Sequence, residues 1–161
     1  VALSMSKHPY FHVLVNGALR AKQLGINPFK YLDRPEVPVA LGYVLEQLSR
    51  IAMSQPLIRR LRLRDFGWFW SELIRFGYHQ LSALPPNRTL AISFESLTDH
   101  PQQEVARMIR FLDSSLVNQT WLQQVSNIPS QARSKYQTLP KSEKMDLTAA
   151  CESGLRLLNY M

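Results

Sequence analysis

The chain has 161 residues, one domain's worth, and its 45% hydrophobic content suffices for a core. A formal net charge of +7 favours an anionic partner: a nucleotide, nucleic acid, an acidic peptide or a membrane surface. The lone cysteine, Cys151, excludes an internal disulfide and a cysteine-based zinc site. No apolar run approaches the roughly 18 residues of a membrane span and no secretory signal is visible, so a soluble, cytoplasmic protein is the expectation.

Residues 1–8 read as the start of a helix stopped by Pro9. From Tyr10 to Pro38 the texture is irregular, punctuated by Gly17, Gly25, Pro28, Pro35 and Pro38. Within it, His12 to Val15 (HVLV) is a short, ambiguous strand candidate. His8 and His12 have the spacing of a helical metal pair, but Pro9 lies between them and no third ligand is evident. No metal is expected. Residues 39–54 form a helix with the stripe Leu41, Val44, Leu45, Leu48 and Ala52, broken by Pro56.

In residues 57–81, Phe66, Phe69, Trp70, Leu73, Ile74, Gly77 and Leu81 keep helical spacing and should face a core. Trp68, Glu72, Arg75 and His79 fall on the opposite face, where a Trp is less expected. Trp68 either lines a pocket or lies under a neighbouring loop. Before this helix stands a basic cluster, Arg59, Arg60, Arg62 and Arg64. It is either a solvated face whose stems cover apolar surface or a contact for an acidic acceptor or nucleic acid. Nucleic acid is disfavoured, since the aromatics occupy a core stripe and are not interleaved with the basic residues.

Leu90 to Phe94 is mostly apolar and predicts a strand buried on both faces. A helix follows, with Asp99 or His100 as cap, Pro101 in the first turn and a stripe of Val105, Met108, Ile109 and Leu112. Residues 118–122 predict a short helical turn. Residues 125–144 have no apolar period and are rich in serine and basic residues; Arg133 and Lys135 among hydroxyls suit a phosphate. A last helix carries the stripe Leu147, Ala150, Cys151, Gly154, Leu155 and Leu158, with Asn159 at a left-handed stop. Cys151 on that stripe reads as a buried small hydrophobe. There is no glycine-rich phosphate loop of Walker or dinucleotide type, and no Ser/His/Asp set can be assigned.

Three segments together resemble the C-terminal half of the sulfotransferase family, which moves a sulfonate group from PAPS (3′-phosphoadenosine-5′-phosphosulfate) to an acceptor. "ISFESLTDHPQQEVARMIRFL" is similar to the family's strand ending in an aromatic-Glu-x-Leu motif and its following helix; Phe94, Glu95, Leu97, Pro101, Phe111 and Leu112 match. "LRLLNYM" resembles the closing Leu-Gly-Tyr, with Asn159 in place of glycine, and "VALSM" resembles the tail of the Arg-x-Pro-x-Asp-Val-Ala-x-Ser segment that grips the 3′-phosphate of PAPS. Roughly residues 9–65 have no clear match, where acceptor-binding parts of such enzymes vary.

The resemblance implies an α/β fold. The chain would be the C-terminal, mostly helical part of a P-loop-like three-layer domain, a single partial domain over 1–161 with one clear strand near 90–94. The family's first strands, its donor-loop lysine and its usual catalytic base would precede Val1, which leaves the catalytic residues here unassigned. Donor binding would fall to Ser4, Phe94, Ser130, Arg133, Ser134 and Lys135, and acceptor binding to Trp68, Arg60 and Arg62. PAPS and an acceptor hydroxyl or amine would be the partners, with no metal and no nucleic acid. The rival is a basic helical binding module for nucleic acid or an acidic protein, without catalysis.

Overall fold

The computed structural model describes residues 1–31, 61–129 and 135–161, and among them every regular element is helical. The α-helices are α1 (Ala2–Met5), α2 (Pro9–Gln23), α3 (Leu63–Ser82), α4 (Phe94–Asp99), α5 (Pro101–Leu112), α6 (Gln119–Val125) and α7 (Lys141–Leu157). Short 3-10 turns occur at Pro28–Tyr31, Pro86–Arg88, Ser114–Leu116 and Lys135–Thr138. The chain divides into two units, Val1–Gln80 with Lys135–Met161, and Leu81–Ser134. The expected helix over 39–54 lies outside the described residues.

The first unit holds a true core. Pro9 does not end a helix there but begins one, occupying the first position of α2, where its missing N–H costs nothing. Phe11, Leu14, Val15, Ala18 and Leu19 then keep helical spacing, and Val15 and Ala18 are buried. The irregular texture is thereby corrected over residues 10–23, and with it the HVLV strand candidate: Gly17 sits inside the helix without breaking its apolar period, whereas Gly25 does end it. Pro35 and Pro38 lie outside the described residues. Both long helices near the ends of this unit close the same way. At Gly25 (φ 72), the Ile26 N–H donates to the Ala21 carbonyl and the Gly25 N–H to Lys22. At Asn159 (φ 59), the Tyr160 N–H donates to Leu155 and the Asn159 N–H to Arg156. Each is a Schellman stop satisfying two orphan carbonyls. The left-handed stop expected at Asn159 is present.

Phe66 and Phe69 of α3 bury against Val15, Ala18, Phe29, Leu147 and Cys151. The expected α3 stripe is right at its centre but narrower than drawn: Trp70, Leu73 and Ile74 are half-buried and Leu81 is exposed. Gly67 and Ser71 extend the buried face instead. They do so because α3 and α7 approach closely through small residues. A Cβ on Gly67 would meet Leu147 Cδ1 at 2.9 Å, and one on Gly154 would meet Trp70 Cζ3 at 2.8 Å. The buried Ser71 hydroxyl accepts from the Gly154 N–H at 2.7 Å, lies 2.7 Å from Ser153 Oγ and faces the Cys151 carbonyl at 3.4 Å. A buried hydroxyl without such partners would cost stability. The stripe expected on α7 buries Leu147, Cys151 and Gly154.

The second unit overturns the expected α/β class. Among the described residues there is no strand, and Leu90 to Phe94 is not one. Thr89 and Ser93 have extended backbone dihedrals (φ −131, ψ 137 and φ −82, ψ 148), but among the described residues no second strand pairs with the segment between them. A strand exists only through its pairing, and here local bonds win. The Ser93 hydroxyl accepts the Ser96 N–H at 2.9 Å, so Phe94 opens α4 and does not end a strand. Arg107 of α5 donates to the Ala91 carbonyl at 2.8 Å, taking an acceptor that a sheet would use. Pro101 opens α5 as expected, with His100 at the cap position but without a side-chain capping bond. The α5 stripe is only partly covered: Val105 and Ile109 are half-buried, Met108 and Leu112 exposed, and Ala106 is the buried residue of this helix. Asn118 caps α6 through the Trp121 N–H, and Leu122 is 1% exposed.

Candidate functional site

Helices α2, α3 and α7 of the first unit line a shallow cleft of about 370 Å³, broadly open to solvent. Each contributes residues three or four apart, which share a helix face. From α2 come Leu19 and Lys22; from α3, Arg64, Asp65 and Trp68; from α7, Asp146, Ala149 and Ala150. Trp68, placed by its spacing on the face away from the main stripe, is half-buried and lines this cleft. Trp68 is also packed partly against the core.

Local capping fixes the α3 end of the site. Asp65, 9% exposed, accepts the Arg62 N–H at 2.7 Å, while its own N–H donates to the Arg62 carbonyl at 2.9 Å. An acid at the third helical position bonding back to the preceding cap residue is half of a capping box. The Lys22 ammonium stands 4.5 Å from the Trp68 ring centroid, within cation–π range. Lys22, Arg64 and Asp146 are exposed at the rim, and none of them is in an ion pair among the described residues. The site therefore offers an aromatic wall, an aliphatic wall, two cations and one accessible carboxylate.

The remaining sequence-named residues lie elsewhere. Ser4 is exposed on α1, turned away from the buried Ala2 and Met5. Arg62 is exposed one position before α3 and does not line the cleft. Phe94, in the second unit, is 55% exposed at the first position of α4. Lys135 is exposed at the start of a 3-10 turn, where its carbonyl accepts from Thr138 Oγ1 at 2.8 Å. Arg60, Ser130, Arg133 and Ser134 lie outside the described residues.

His12 is held by local contacts. Its Nε2 sits 2.8 Å from the Ser6 carbonyl, and its ring packs edge-on against Phe66 at 4.9 Å. Among the described residues no group of three His, Cys, Asp or Glu side chains could hold a metal ion. Burial pushes the Cys151 thiol above its ordinary pKa, as suits an inert core sulfur. Asp113 is held below the usual carboxylate range by the Ser115 N–H, which donates to it at 2.8 Å.

Sequence reasoning missed Lys22, Asp65 and Asp146. Lys22 becomes visible once residues 11–19 are read as a helical stripe, because it then falls three positions beyond Leu19. Asp146 likewise precedes Ala149 and Ala150 by three and four positions. No described helix is long and apolar enough to cross a membrane. Comparison with protein-family models, curated proteins and solved structures finds no match to this chain.

Proposed function

We propose that this chain forms part of a PAPS-dependent sulfotransferase, as its three resembling segments imply, with Trp68 serving the acceptor. The order and spacing of those segments, VALSM, the Phe94-Glu95-Ser96-Leu97 motif and LRLLNYM, carry the reading. Ser4 and Phe94 are both exposed, and each would serve donor binding. Ser130, Arg133, Ser134 and Lys135 would supply hydroxyl and charged donors to the donor's phosphates, and Arg60 and Arg62 would border the acceptor.

In the reaction, an acceptor hydroxyl or amine attacks the sulfur of PAPS in line. The bond from sulfur to the bridging phosphate oxygen breaks, and adenosine 3′,5′-bisphosphate leaves. The acceptor's proton passes to a general base, and cationic and backbone donors stabilise charge developing on the leaving oxygen. No residue of this chain is assigned as that base.

A second reading, a basic helical module binding nucleic acid or an acidic protein, draws support from the all-helical described residues and the +7 charge. Calorimetric titration with adenosine 3′,5′-bisphosphate and with adenosine 5′-monophosphate separates the two. The transferase reading expects a preference for the bisphosphate, weakened by about 1 kcal/mol in Ser4→Ala. No preference between the nucleotides, with DNA binding that falls steeply with salt, would favour the module instead.

A further inference from the structure

We infer that the Trp68 cleft binds a planar aromatic ligand carrying an anionic group, which makes such a compound the acceptor class if the transferase reading above holds. The volume, about 370 Å³, would hold a small ring system with one face left to solvent. Leu19, Ala149, Ala150 and the part of the Trp68 indole not covered by Lys22 supply the cleft's small apolar lining, enough to rest one edge of an aromatic ring. The sign of the ligand's charge follows from Lys22. An exposed indole face ordinarily attracts a cation, but here the face is already served by the Lys22 ammonium at 4.5 Å. A cationic ligand would have to displace Lys22 from the ring and then face it and Arg64 at close range. An anion instead pairs with Lys22 while the cation–π contact stays in place, and Arg64 at the same rim adds a second donor. Asp146 is the accessible acceptor in the cleft, suited to a hydroxyl or amine on the ligand ring. Asp65 plays no such part, since its carboxylate is committed to the Arg62 N–H.

The test is heteronuclear NMR of the indole N–H groups, with the Trp68 signal assigned by its disappearance in Trp68→Phe. The probes are indole-3-acetate, neutral 3-methylindole and cationic tryptamine. Indole-3-acetate should shift the Trp68 signal saturably, with tryptamine at least about tenfold weaker and 3-methylindole between them. Lys22→Met keeps the aliphatic stem and should cost about fivefold in indole-3-acetate affinity, and Arg64→Met a smaller factor. Tryptamine binding as tightly as indole-3-acetate, or an unchanged affinity in Lys22→Met, would overturn the proposal. Ser4→Ala should leave probe binding intact. Failure of nucleotide binding with probe binding retained would count against the donor reading alone, and the converse against the cleft alone.

Discussion

The two units spend similar sequence material very differently. In the first, apolar residues from α1, α2, α3 and α7 converge on Phe66 and Phe69, and small residues let α3 and α7 meet closely enough for a serine to bridge them. In the second, α5 carries a strong apolar stripe, yet Ala106 and Leu122 are its buried hydrophobics, while Leu112 is 74% exposed. An apolar period thus predicts a helix in both units but not how deeply that helix is buried. The first unit has a close seam of small residues and, beside it, a cleft. In the second, α5 packs against α4 and α6, and caps and Arg107 add local bonds, the latter reaching the 89–93 segment.

The largest way to break this comparison is to truncate equivalent side chains in each unit. Phe66→Ala should cost about 3–5 kcal/mol in denaturant unfolding, the usual loss for a fully buried aromatic. Phe111→Ala, 38% exposed in the second unit, should cost much less, about 1 kcal/mol or below. Equal losses would mean that the second unit packs its aromatics as firmly as the first.

Glycine substitutions sharpen the same contrast by sign. Gly154→Ala should destabilise by about 1–3 kcal/mol, because the new methyl would press on Trp70 and on the Ser71 backbone in spite of better helix propensity. Gly17→Ala, within α2 and with nothing within 4 Å of its would-be Cβ, should stabilise by about 0.5–1 kcal/mol. Thermal unfolding of the two variants checks both directions. Ser71→Ala comes next, at about 1–2 kcal/mol, because it removes the buried bond to the Gly154 N–H.

The smallest effect is a pH dependence in the second unit. Asp113 titrates below its ordinary value when folded, so its contribution is present above the unfolded carboxylate range and is lost as pH falls through the folded value. Asp113→Asn should lower stability slightly at neutral pH and flatten the acid limb of the unfolding curve, the two proteins converging at low pH. Cys151 acts in the opposite direction. Its raised thiol pKa means stability begins to fall as pH rises past about 8.5, where an unfolded thiol ionises.

The elements were legible where local chemistry decides them. Pro101 opening α5, the α7 stripe and the left-handed Asn159 each follow from residue type and spacing. Trp68 was legible as a wall because its spacing sets it off from the stripe that Phe66, Phe69 and Leu73 follow. What misled was the apolar run Leu90 to Ile92. Hydrophobicity there predicts a strand, but strand formation is a property of two segments, and the short-range bond from Ser96 to Ser93 decides the outcome at Phe94. The Lys22 contribution was hidden for the opposite reason: Gly17 and Pro9 looked like breaks, yet one is tolerated inside a packed helix and the other starts it.

Native-state amide hydrogen exchange tests the difference between the units most directly. The account predicts that the slowest amides lie in α3 and α7, around residues 66–71 and 147–154, and open only with global unfolding. Amides of α4 and α6 in the second unit should exchange at least about a hundredfold faster, through local opening. Protection in α4 and α6 equal to that in α3 and α7 would contradict it.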